Sequence, residues 1–131
     1  MIGKSILIAD DDRNLVDALA VRCRTLGLTV RIAHDARTAL NIIFDDRPDV
    51  ACLDVNMPFG NGLCVCEMLA SDERFVSLPV IVLTGKTDLE TVRRCHNLCA
   101  YYVPKSADLW SRIGPLLHEL LPETGNGNLT S

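Results

Sequence analysis

The 131-residue chain reads as a three-layer, doubly wound α/β protein, with an open sheet of five parallel strands covered by helices on both faces. Two observations predict this. Three short runs, at 5–9, 50–53 and 80–83, are rich in Ile, Val and Leu and do not alternate with polar residues, the pattern of strands buried on both faces. Segments of helical periodicity fill the gaps, so strand and helix alternate five times. Such alternation implies parallel strands joined by right-handed crossovers. Five units are too few for a barrel that needs eight. An open sheet remains, and its ligands bind at the carboxyl ends of the strands, beside the point where strand order reverses.

The first strand is predicted at 5–9 and the first helix by Leu15, Leu19, Arg22 and Leu26, with Gly27 at the C-terminal cap. Residues 29–33 (Thr-Val-Arg-Ile-Ala) alternate in polarity and read as an edge strand. Ala36, Ala39, Leu40 and Ile43 mark a second helix, ended by Asp46-Arg47-Pro48. Residues 63–70 form a third helix between the strands at 50–53 and 80–83. Leu89, Val92, His96 and Cys99 are expected on one side of a fourth, and residues 101–103 make the fifth strand. Leu109, Ile113, Leu116, Leu117, Leu120 and Leu121 form the stripe of a fifth helix, which Pro115 should kink or restart at Gly114. One domain over 1–122 is expected, with 123–131 a flexible tail or the start of a linker.

Composition narrows the function. Apolar residues make up 48% and charged residues 23%, as in ordinary globular proteins, while aromatics at 5% leave the core to aliphatic side chains. A net charge of −4, with Arg93-Arg94 the only adjacent basic pair, argues against a nucleic-acid surface. The N-terminal apolar run is too short for a secretory core or a membrane span, so a cytoplasmic protein is expected. In that compartment the six cysteines should be free thiols. Cys64-Val-Cys66 and the Cys95…Cys99 spacing do not make zinc knuckles.

The chemistry lies at the carboxyl end of each buried strand. Asp10, Asp11 and Asp12 come after the first, Asp54 ends the third and Thr84 the fourth, and Lys105 comes just after the fifth. A parallel sheet brings all of them to one edge. Asp12 fits as the cap of the first helix. Carboxylates gathered there repel, by on the order of 4 kcal/mol per pair at 4 Å and an effective dielectric of about 20. A hard cation relieves that cost, and an all-oxygen set points to Mg²⁺. Lys105 adds a compact positive charge and Thr84 a hydroxyl, both suited to phosphoryl oxygens. The set fits phosphoryl transfer onto a carboxylate nucleophile, Asp54.

Ile-Leu-Ile-Ala-Asp10-Asp11-Asp12 resembles the opening of response-regulator receiver domains. Asp49-Val-Ala-Cys-Leu-Asp54-Val-Asn-Met57-Pro58-x-x-x-Gly62-Leu is similar to the segment carrying that family's phosphoacceptor. Pro79-Val-Ile-Val-Leu-Thr84-Gly85 and Tyr102-Val-Pro-Lys105 resemble its two remaining motifs. The resemblance implies a flavodoxin-like fold with strand order 2-1-3-4-5. It implies Asp54 as phosphoacceptor; Asp10, Asp11, Asp54 and the backbone carbonyl of Asn56 as Mg²⁺ ligands; and Thr84 and Lys105 as phosphoryl contacts. It also implies a switch through Thr84 and Tyr102 that alters the surface of the fourth helix, fifth strand and fifth helix. Asn56 and Lys86 would flank the phosphoryl group. Partners implied are a sensor histidine kinase or phosphotransfer protein, an output domain or target protein, and a phosphorylation-dependent dimer, with no membrane or nucleic acid bound directly. The chain would not be a turnover enzyme, though it would assist its own phosphoryl transfer and dephosphorylation.

Three departures stand out. Ser106 occupies the place of a proline that usually comes after the lysine through a cis bond. The fourth helix region is about one residue short, and Cys99 stands where glycine is common. They keep open an alternative, a pseudo-receiver that binds proteins without phosphate. An aspartate-nucleophile phosphatase would carry a second acid two residues after Asp54, where Asn56 stands.

Overall fold

The computed structural model describes residues 1–58, 60–85, 89–106 and 108–122. Five strands, β1 (Ser5–Ala9), β2 (Thr29–Ala33), β3 (Val50–Asp54), β4 (Val80–Thr84) and β5 (Tyr101–Pro104), form one parallel sheet in the order β2-β1-β3-β4-β5. Among the described residues five helices connect and follow them: α1 (Arg13–Thr25), α2 (Ala36–Asp45), α3 (Gly62–Ala70), α4 (Leu89–Asn97) and α5 (Leu109–Leu120). This is the expected flavodoxin-like (βα)5 arrangement and order. A short antiparallel hairpin pairing Asn56–Met57 with Gly60–Asn61 has no counterpart in the sequence-based expectation. It leaves the end of β3 and leads into α3.

β3 and β4 are buried along their whole length and β1 from Ile6 to Ala9, as unbroken apolar runs require. Their period-two alternation divides the core. Leu7, Ala9, Ala51, Leu53 and Val82 pack under α2, α3 and α4. Ile6, Ile8, Cys52, Ile81, Leu83 and Val103 pack under α1 and α5. All six cysteines are free, and Cys52 is a core residue. The backbone of Gly27 has φ 92°, the left-handed turn that ends α1, and an added Cβ would stand 2.9 Å from Ile2 Cγ1.

The rotation of two helices corrects the expectations from sequence. In α1 the buried face is Val16, Leu19, Ala20 and Cys23, while Arg22 is exposed and lies over the Trp110 ring at 5.7 Å. In α4 the buried residues are Thr91 and Cys95; Leu89 is 72% exposed and His96 is exposed. This helix has few apolar residues, and its buried side chains are the small Thr91 and Cys95. Cys99 comes after it at φ 56°, a left-handed conformation that favours glycine. In α5 the stripe Leu109, Ile113, Leu117 and Leu121 is buried as expected. The helix runs through Pro115 without restarting at Gly114. Pro115 and Ser111 are both exposed, so the carbonyl that loses its helical N–H can face water.

Candidate functional site

Backbone hydrogen bonds stitch the carboxyl ends of the strands together. Asp10 N–H donates to Ala33 at 3.1 Å, Val55 to Leu83 at 2.9 Å, and Lys105 to Thr84 at 2.7 Å. The side chains at these strand ends are therefore held over one short stretch of sheet edge. Asp10 is fully buried. Its Oδ1 accepts from Asp12 N–H at 2.9 Å, and its Oδ2 forms an ion pair with Lys105 Nζ at 2.7 Å, with no other partner among the described residues. Lys105 Nζ also stands 3.2 Å from Asp54 Oδ1. Asp11 is exposed beside this pair, and one carboxylate oxygen from each of Asp10, Asp11 and Asp54 lies within 4.8 Å of the others. Asp12 caps α1, accepting from Leu15 N–H at 3.2 Å.

The electrostatics of this pocket are set by crowding. Burial first, and then the Asp10 carboxylate, push Asp54 up to about 6, against the pull of Lys105 and the Asn56 N–H. Burial would push Lys105 down, yet its hydrogen bond to Asp10 and the charges of Asp10 and Asp54 hold it above its ordinary value. The ammonium thus stays charged and offsets part of the carboxylate repulsion.

The structure brings Asp10, Asp11, Asp54 and Lys105 together. Thr84 is buried at the end of β4, beside the backbone of Lys105. Asn56 lies two residues beyond Asp54 with an exposed side chain. Tyr102 sits further down β5, opposite Val82, half-buried on the same sheet face as Thr84; its hydroxyl is buried and has no hydrogen-bond partner among the described residues. Lys86 lies outside the described residues. The peptide bond between Lys105 and Ser106 is trans, so Ser106 causes no departure from ordinary backbone geometry there.

Two supporting contacts are not visible in the sequence. Gly62 N–H donates to Val55 O at 3.1 Å, and a Cβ on Gly62 would stand 2.3 Å from the Asp54 carbonyl oxygen. No larger residue leaves that carbonyl where it is. His34 Nδ1 lies 2.9 Å from the carbonyl oxygen of Asp10. From sequence alone His34 reads as an exposed or structural histidine; the only signal for more is its place at the end of β2, on the same sheet edge.

The doubly wound sheet and the acid pocket beside its switch point define a class, the α/β modules with a ligand site at the carboxyl ends of their strands. The model of the response regulator receiver domain matches residues 6–109, and the chain belongs to that family. It is 37% identical over 126 residues to the response regulator MprA of Mycolicibacterium vanbaalenii, an alignment covering 93% of this chain and 54% of that protein. The chain thus spans about half the length of the curated relatives it matches. Among solved structures, a CheY-like receiver domain protein of Methanospirillum hungatei superposes with a TM-score of 0.78 at 28% identity, covering 89% of this chain and 95% of that one. The phosphorylated cyanobacterial phytochrome response regulator RcpA shares the fold with a TM-score of 0.84 at 22% identity, covering 91% and 94%. No helix among the described residues is long and apolar enough to cross a membrane.

Proposed function

We propose that the chain is a working phosphoacceptor, taking a phosphoryl group from the phosphohistidine of a sensor kinase or phosphotransfer protein onto Asp54. The observation that carries this reading is the pocket itself: three carboxylates within 4.8 Å of one another and an ammonium 3.2 Å from the proposed nucleophile. In the transfer, an Asp54 carboxylate oxygen forms a bond to phosphorus, the P–N bond breaks, and the imidazole leaves with its electron pair. The product is an acyl phosphate on Asp54.

The donor set fits Mg²⁺. All its atoms are hard oxygens, and opposite ligands of an octahedral ion stand about 4 Å apart. Asp11 and Asp54 would hold it, Asp10 directly or through water, and Asn56 through its carbonyl. When bound, it neutralises charge on the phosphoryl oxygens. Lys105 offers those oxygens an ammonium and Thr84 a hydroxyl. In this reading Thr84 then moves toward the phosphoryl group, Tyr102 turns with it, and the surface of α4, β5 and α5 changes its affinity for an output domain or for a second copy. Residues 1–122 act as the receiver module in the cytoplasm; the tail or linker expected over 123–131 lies outside the described residues. No turnover of an external substrate is proposed.

Incubation with acetyl phosphate and Mg²⁺, followed by intact mass measurement, tests the reading. The wild-type chain gains one phosphoryl group and Asp54→Asn gains none; equal labelling refutes the assignment. The phosphate-independent alternative drew weight from Ser106; the acid pocket of Asp10, Asp11 and Asp54 is what favours the phosphoacceptor reading over it.

A further inference from the structure

We infer that His34 is a positioning residue for the acid pocket, holding the peptide that joins Asp10 to Asp11 by donating a hydrogen bond from Nδ1 to the Asp10 carbonyl. The inference rests on the reading that this pocket takes Mg²⁺. A carbonyl oxygen only accepts, so at 2.9 Å the hydrogen must be on Nδ1. The backbone holds the ring within reach of this contact. Ala33 ends β2, paired with Ala9, and Asp35 caps α2 by accepting from Thr38 N–H at 2.7 Å. The backbone is fixed on both sides of His34.

Asp10 is the most enclosed acid among the described residues, and each of its polar groups has one partner. Its N–H bonds to Ala33 O, its Oδ1 to Asp12 N–H, its Oδ2 to Lys105 and its carbonyl to His34. Only Lys105 and His34 make these contacts through side chains. Lys105 acts on the carboxylate, whereas His34 acts on the peptide plane. That plane sets where the Asp11 side chain stands relative to Asp54. The turn carrying His34 also reaches the other acid loop, since Ala36 N–H donates to Pro58 O at 3.2 Å. The segment between β2 and α2 therefore braces both loops that bear the metal-facing carboxylates, and His34 is its side-chain contact with Asp10. Groups behind a ligand set its orientation and influence metal affinity without touching the ion.

The test compares the wild-type chain with His34→Ala and with His34→Asn, whose amide nitrogen can take the place of Nδ1. Mg²⁺ affinity is read by calorimetric titration, and exchange of the Asp12 amide hydrogen is followed in the metal-free protein by NMR. We expect His34→Ala to bind Mg²⁺ roughly fivefold more weakly, the effect of one neutral hydrogen bond, and to exchange the Asp12 amide faster by a similar factor. His34→Asn should return both to within about twofold of wild type. A fold-only role predicts unchanged affinity in folded His34→Ala, and that result overturns the inference. Equal loss in both variants overturns it too, because ring packing would then be the cause. If the wild-type chain takes no Mg²⁺, the proposed function fails, while the Asp12 exchange rates still decide the role of His34.

Discussion

Replacing Asp54 by asparagine should stabilise the metal-free protein, although it removes the group on which the proposed chemistry depends. Burial and the Asp10 carboxylate raise Asp54 from 3.8 to about 6. At about 1.4 kcal/mol per unit, ionised Asp54 costs the fold about 3 kcal/mol at alkaline pH. Lys105 is already counted in that figure, since its attraction lowers the same group. The folded state holds this proton more tightly than the unfolded chain. The cost is therefore fully present above pH 6 and is relieved as pH falls from about 6 towards 4. Asparagine has nearly the same shape and no charge, so Asp54→Asn should exceed wild type by about 2–3 kcal/mol at pH 8. The gap should close near pH 4. Urea titration in EDTA, followed by circular dichroism at the two pH values, measures it. Adding Mg²⁺ at pH 8 should raise the midpoint of wild type and leave the variant nearly unmoved. A variant no more stable than wild type at pH 8 in EDTA would refute the claim that the pocket is held under charge repulsion.

Other substitutions probe the neighbouring contacts. Lys105→Ala leaves the fully buried Asp10 beside Asp54 without its cation and should destabilise the metal-free chain by about 3 kcal/mol at pH 8, with much of the loss recovered in Mg²⁺; urea midpoints with and without the ion check both. Gly62→Ala places a Cβ 2.3 Å from the Asp54 carbonyl, so the loop must shift; a cost of about 1–3 kcal/mol and slower labelling by acetyl phosphate are expected, read by urea melts and intact mass. Cys99→Gly relieves a side chain at φ 56° and should add about 0.5–1 kcal/mol, seen as a rise of a few degrees in Tm, with no change in labelling.

The parts of this protein that the sequence reveals are those written in side-chain period. Unbroken runs such as Val50 to Leu53 could only be strands covered on both sides, and the runs at 50–53 and 80–83 proved buried throughout. Once the strands are parallel, the residues at their carboxyl ends share an edge, which is why Asp10, Asp54, Thr84 and Lys105 can be grouped from the sequence alone. Helix rotation is less legible. A short helix such as α4 has one wide turn of latitude, and counting Leu89 and Val92 as core ignores that Thr91 and Cys95 can pack closer to the sheet. Least legible are the contacts made to backbone. His34 meets a carbonyl and Gly62 makes room for one, and every residue carries a carbonyl, so neither contact leaves a pairwise pattern to read. The same division predicts how such a chain responds to change. Substituting a group at a strand end alters charge and chemistry together, as at Asp54. Substituting a brace such as Gly62 or His34 keeps every charged group of the pocket and alters only its placement, to which the proposed metal coordination and in-line transfer would respond steeply.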